Sequence, residues 1–169
     1  MPILVTSRAL LRPWTMEDLD AAARICADPE VMRLYETGQP WSRERTQEMI
    51  AQRIEHEREH GFSLWAAALQ DTGEIIGHCG LIDCPDSGEI EISYALAREH
   101  WGKGLATELA RATLDHGLRV LGLGRIAAAV YPENAASIRV LEKIGMHFER
   151  TFEQYGVELR MYVVERDQC

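Results

Sequence analysis

Cysteine is scarce in this chain, and what there is forms no pattern. Cys26, Cys79, Cys84 and Cys169 show no x2 spacing. Cys79 and Cys84, the nearest pair, lack the further ligands a metal site would need. No metal is therefore expected, and the thiols are expected to stay reduced. Long apolar runs are absent too. Nothing approaches the ~18 consecutive residues of a membrane span, so no membrane association is expected. The opening MPILVTSRALLRPW holds no basic leader followed by an apolar stretch of signal length, which makes the cytoplasm the expected location. Basic residues are in the minority, 18 Lys and Arg against 27 Asp and Glu, for a net charge of −9. That balance argues against nucleic acid as a partner, because phosphate contacts dominate such affinity. It still allows an anion held locally by main-chain amides, and it leans towards a cationic or amine-bearing substrate.

Repeats, low-complexity tracts and linkers are missing as well. What remains is 169 residues, 46% hydrophobic and 27% charged, the size and composition of a single globular domain, 1–169, with its own core. Residues 3–13 alternate loosely and end at Pro13, reading as a first strand. Thr15 caps a helix over 16–27, with Asp18 as a shortened capping-box acid. Asp28–Pro29–Glu30 restarts a short one. Ser42 opens a long polar helix that Gly61 stops after His60. Residues 62–70 and 74–82 flank Asp71–Thr72–Gly73 as a hairpin, and 88–96 extends the meander. Leu105, Leu109, Ala112 and His116 recur at helical spacing over 104–120. A strand over 124–131, a helix over 134–144 and two strands around Gly156 complete the chain. This order predicts a mixed α/β sandwich, with one parallel pair formed by 90–96 and 125–131.

Between that strand and helix, Gly102 and Gly104 flank Lys103. Glycine permits a tight turn and lets phosphate approach bare amides. The orphan N–H groups and dipole of the following helix favour negative charge there. The familiar nucleotide motifs do not fit. Thr107 stands where a dinucleotide fingerprint has its third small residue, and no GKS or GKT follows.

Trp101-Gly102-Lys103-Gly104-Leu105-Ala106-Thr107-Glu108, together with the thirteen residues from Asn134 to Met146 (NAASIRVLEKIGM), resembles the GNAT superfamily of acetyl-CoA-dependent N-acetyltransferases. The likeness is closest to the branch that acetylates ribosomal-protein N-termini, whose opening strand Thr6–Trp14 resembles. It spans essentially the whole chain and implies a central mixed, mostly antiparallel sheet of six to seven strands flanked by helices. Trp101 departs from the Arg or Gln usual at the first turn position. The resemblance implies that the amides of Gly102, Lys103, Gly104, Leu105, Ala106 and Thr107 hold the pyrophosphate of acetyl-CoA, with Trp101 beside them as a further cofactor-binding residue and coenzyme A as product. It implies that the main chain at Ala95 and Leu96 pairs with the pantetheine arm and polarises the thioester carbonyl.

Glu91 lies in Glu-Ile-Ser-Tyr, where the family has Glu-x-Gly-Tyr. Acetyl transfer needs the acceptor amine to lose a proton, and a carboxylate in a cleft can take it. Strand periodicity puts Glu89, Glu91 and Ser93 on one face, opposite Ile90, Ile92 and Tyr94, so Glu89 is the alternative base. Glu91 is also a candidate anchor for the substrate ammonium. Asn134 caps a helix whose third position is Ser137. The resemblance adds a pantetheine contact for Asn134, and for Ser137 both cofactor binding and protonation of the departing thiolate. Tyr131 is the rival donor, and Tyr94 reads as structural. The expected chemistry is direct attack by the amine, with the oxyanion held by main-chain N–H groups and no acyl-enzyme. The family's segment between its first two strands lines the acceptor site, which makes Tyr35, Glu36 and Trp41 the substrate-binding candidates.

His56-Glu57-Arg58-Glu59-His60 matches the H-E-x-x-H pattern of zinc proteases. The run around it is almost entirely charged, Gly61 ends the helix at once, and no third ligand follows, so a solvated helix surface is the expectation. The leading reading is N-acetylation of a primary amine, either the N-terminus of a ribosomal protein or a small molecule such as a polyamine or antibiotic. A non-catalytic acyl-CoA-binding module is the alternative. A homodimer is compatible with the branch.

Overall fold

The structure, a computed structural model, describes residues 3–168. A single eight-stranded sheet runs through them in the order β1-β2-β3-β4-β5-β6-β8-β7. Its strands are β1 (Leu4–Val5), β2 (Ala9–Arg12), β3 (Leu64–Leu69), β4 (Ile75–Cys84), β5 (Glu89–Leu96), β6 (Arg125–Val130), β7 (His147–Gln154) and β8 (Val157–Glu165). Its helices are α1 (Leu19–Cys26), α2 (Pro29–Met32), α3 (Arg43–His60), α4 (Leu105–Asp115) and α5 (Ala135–Lys143). Every neighbouring pair is antiparallel except β5 and β6, as expected for the mixed sandwich.

The strand expected over 3–13 folds back on itself, which raises the strand count to eight. Thr6 closes the bend, its N–H and its hydroxyl both donating to the Ala9 carbonyl at 2.9 Å. The helix expected over 16–27 opens with a 3-10 turn, Met16–Asp18, and the Asp18 carboxylate accepts from the Thr15 N–H at 2.9 Å. Ser42 accepts from the Arg45 N–H, and Gly61 adopts a left-handed conformation after His60. Caps of this kind are worth ~1 kcal/mol each. The helix read over 104–120 widens into a π turn at His116–Val120. There Gly117 lies so close to Ile126 and Leu81 that an added Cβ would come within 2.6 Å and 2.9 Å of their side chains.

Both faces of the sheet are covered. Leu11, Trp65, Ile76, Leu109, Ile126 and Leu141 belong to the core under α4 and α5. Trp14, Ile25, Met32, Met49 and Ile50 belong to a second core, which packs α1–α3 against Ala66, Ala68 and Ile75. The alternation of Trp65 and Ala67 with Ala66 and Ala68 assigns β3 to both cores at once. Burying a side chain such as Ile50 or Leu109 contributes roughly 1.5–3 kcal/mol relative to exposure.

Candidate active site

β5 and β6 share a single registered pair, Glu91 with Ala127. Beyond it the two parallel strands diverge, leaving the β6-facing main chain of β5 without a ladder partner. A Cβ placed on Gly77 of β4 would lie 2.1 Å from the Ala95 carbonyl oxygen, so that carbonyl faces β4. Successive residues direct their main chain to opposite edges, which turns Tyr94 and Leu96 towards the gap. The Leu96 carbonyl accepts from Trp101 Nε1 at 2.8 Å. Its N–H remains as a donor on the open edge, suited to an extended chain carrying a carbonyl.

The gap leads to the turn before α4. Gly102 and Gly104 have φ of +71° and +77°, values at which a side chain is strained. Nothing lies within 4 Å of a Cβ on Gly102. The first amides of α4 are therefore open to an anion, as a helix N-terminus favours. The turn is braced from the other end of the chain. Arg8 donates to the Lys103 carbonyl at 2.8 Å and pairs with Glu108 at 2.7 Å. Partial burial would raise the Glu108 carboxyl, but hydrogen bonds from Thr6, Arg8 and Ser7 outweigh it and hold the group down to about 2.

On the face of β5 opposite Glu91, Tyr94 reaches the start of α5. Its hydroxyl lies 2.8 Å from Ser137 Oγ, and burial keeps it protonated far above the ordinary phenol range. The Asn134 side chain accepts from the Ser137 N–H at 3.1 Å, as the capping pattern requires. On the Glu91 face lies a cavity of about 280 Å³. Glu91 is only 8% exposed and accepts from the Ser87 hydroxyl at 2.7 Å. Burial raises its carboxyl above the ordinary range, against the opposing pull of Ser87. A carboxylate in that state holds a proton more readily than a solvated one, which suits a base. Tyr35, Glu36, Ser93, Tyr131 and Tyr155 share the lining. The Tyr131 hydroxyl donates to the Glu36 carbonyl at 2.5 Å. Tyr35 meets His78 Nε2 at 3.0 Å, and burial pulls that imidazole down to about 3, so it stays neutral.

A divergent parallel pair, a bare-amide turn and a buried carboxylate at the pair's last point of contact form one arrangement, and its family is identified by comparison. The sequence profile of the acetyltransferase (GNAT) domain matches residues 8–147. The chain belongs to the GNAT family. With membership comes the general activity of an acetyl-CoA-dependent N-acetyltransferase. YkkB, an uncharacterized protein of Bacillus subtilis (strain 168), is 40% identical over 164 residues, 94% of this chain and 93% of its own. The acetyltransferase from Agrobacterium tumefaciens str. C58 superposes with a TM-score of 0.85 at 28% identity, covering 98% of this chain and 95% of its own. RimL, a ribosomal L7/L12 alpha-N-protein acetyltransferase solved in complex with coenzyme A, shares the fold at 19% identity, with a TM-score of 0.84 over 100% of both chains.

In this GNAT enzyme the expected site residues fall into two groups. Glu91, Tyr131, Tyr35 and Glu36 line the cavity, whereas Ser137 sits across the sheet beside Tyr94. Trp41 is buried behind Tyr35, in edge contact at 6.0 Å, and takes no part in the lining. Glu89, the alternative base, is paired with Arg125 at 3.0 Å and takes no part in the cavity lining. His56 Nδ1 meets the Phe62 carbonyl at 2.8 Å, and its ring stacks on His60 at 4.4 Å. These contacts tie α3 to the start of β3. Sequence reading missed Arg53, Asp83, Asp86 and Tyr155, which also line the cavity. They come from a helix face and two hairpin ends with no shared motif. Among the described residues, no helix is long and apolar enough to cross a membrane.

Proposed function

We propose that the chain acts as one acyltransferase unit that seats acetyl-CoA along the β5/β6 opening and acetylates a primary amine held in the Glu91 cavity. Bound acetyl-CoA supplies the activated acetyl group. The amides of residues 102–107 hold the pyrophosphate, and the Leu96 N–H stabilises negative charge on the reacting carbonyl oxygen. Glu91 takes the proton of the incoming ammonium, directly or through water. Ser137, hydrogen-bonded to the protonated Tyr94, donates to the departing sulfur, with the Tyr94 hydroxyl able to replenish it. The observation that carries this reading is the position of Glu91, which is both cavity lining and the last registered residue before the strands part.

The cavity's modest volume and acidic lining support a small amine as acceptor. The N-terminal amine of a ribosomal protein is the second reading, supported by the likeness in fold to RimL. Calorimetric titration with acetyl-CoA, and with free coenzyme A in parallel, tests the cofactor half. Saturable binding is expected. A well-folded protein that binds neither would remove the role assigned to the turn and the catalytic assignment with it.

A further inference from the structure

Arg53 is out of keeping with its surroundings. It projects from α3 into a cavity that otherwise carries the carboxylates Glu36, Asp83, Asp86 and Glu91. None of them pairs with it. Among the described residues the Arg53 side chain makes no ion pair within 4.0 Å, and its Nε is buried with no hydrogen-bond partner. Thirteen of the chain's other Arg side chains are engaged with acids or main-chain carbonyls, Arg12 with Asp18 and Arg125 with Glu89 and Glu149 among them. Burying the Nε donor of a half-buried guanidinium without a partner is costly, and an unsatisfied buried donor in a native protein calls for a reason.

The arrangement is complementary to a ligand with charge at both ends. Glu91 and Asp86 suit an ammonium, and a planar fork of N–H donors suits a carboxylate. We propose that the acceptor is a small zwitterion, an amine that also bears a carboxylate, and that Arg53 is the residue that receives the carboxylate. This rests on the acetyl-transfer reading above and narrows its substrate class. A purely cationic acceptor, such as a polyamine, would leave the guanidinium unpaired and add like charge beside it. A peptide N-terminus lacks the nearby carboxylate unless its side chains provide one.

The test uses the full chain, acetyl-CoA and a thiol reagent that reports coenzyme A release. The acceptors are free α-amino acids, their methyl esters and the amines left by removing the carboxyl group. For at least one amino acid, kcat/KM should exceed that of its ester and its decarboxylated amine by about 10- to 100-fold, the worth of a charge-assisted hydrogen bond. Arg53→Gln should erase this ratio by raising KM for the amino acid alone, and Arg53→Lys should restore part of it. The ester comparison needs no variant and stands even if substitution harms folding. Equal or better turnover of esters or amines overturns the proposal. So does a preference for peptides beginning with Asp or Glu, an equal loss for all acceptors in Arg53→Gln, or transfer to none of them by protein that binds acetyl-CoA. Failure to bind acetyl-CoA in the calorimeter instead defeats the underlying reading.

Discussion

On one side of β5, the groups placed to meet a ligand are main-chain amides, exposed because glycine stands at Gly102 and Gly104 and because β6 diverges after Ala127. On the other side they are side chains, delivered by the α2–α3 link, α3, the β4–β5 hairpin and the β7–β8 turn. The amide side depends on local chain geometry, so a few consecutive residues specify it. The cavity side depends on tertiary assembly, so each lining residue is free to vary while the fold persists. A cofactor common to a family and an acceptor particular to one member call for this division.

The largest expected effect lies in the cavity. Glu91→Gln should lower the transfer rate by about 10²- to 10⁴-fold at neutral pH, the usual worth of a general base. Because burial raises the Glu91 carboxyl, wild-type activity should fall as pH drops through that raised value, where the base becomes protonated. The deficit of the variant should shrink as pH climbs past the pKa of the acceptor amine. A uniform loss at every pH would reduce Glu91 to a positioning residue. Acetyl-CoA affinity should stay unchanged, which keeps the two sides separable.

Gly104→Val attacks the other side. A β-branched residue at φ +77° is strained by roughly 1–2 kcal/mol, and its side chain would obstruct the α4 amides. Acetyl-CoA should bind about 10- to 100-fold more weakly by calorimetry, with KM for the acceptor unmoved. Unchanged affinity would sink the turn as the pyrophosphate site.

This division also explains what could be read from the chain. Gly102, Gly104, the Asn134 cap and the alternation that turns Glu91 away from Tyr94 are local facts, and the structure places them as their spacing implied. The parallel pair followed from a strand, an amphipathic helix and another strand in order. Arg53 was invisible because its run, Arg53 to His60, is almost entirely charged, and no period marks which of its residues meets the cavity. Tyr155 sits beside a turn glycine and looked like a hairpin tip. The bend at Thr6 was missed because its Thr6–Ala9 closure carries neither Gly nor Pro. Trp41 was credited to the cavity through its segment, but its indole backs Tyr35 instead of lining the space.

A smaller effect should come from the brace that joins the N-terminal bend to the turn. Glu108 is held down to about 2 against an ordinary 4.5. A depressed carboxyl stabilises the fold above its unfolded-state pKa and loses that contribution as pH falls through the folded value. Wild-type melting temperature should therefore drop between about pH 4.5 and pH 2 by more than that of Glu108→Gln. At neutral pH the variant should be less stable by about 1 kcal/mol, a figure already reduced for solvent screening. Coincident pH profiles for the two proteins would show that the Arg8 pairing adds nothing.

The smallest effect sharpens the comparison most, because it sets the needs of the cavity against those of the chain. Gln154 pairs with Val157, so Tyr155 and Gly156 form a two-residue hairpin turn, with φ of +56° and +72°. Such turns favour Asn followed by Gly, and a bulky aromatic in the first position is a poor local choice. Yet Tyr155 lines the cavity and keeps about half of its surface exposed. Tyr155→Asn should raise stability by roughly 0.5–1 kcal/mol, because Asn relieves part of the ~1–2 kcal/mol strain of a left-handed residue. The same change should lower acceptor kcat/KM a few-fold and leave acetyl-CoA affinity unaffected, as thermal melting and paired kinetics would show. A variant that gained stability at no kinetic cost would mean that the turn merely tolerates Tyr155 and that the cavity ends short of the β7–β8 hairpin.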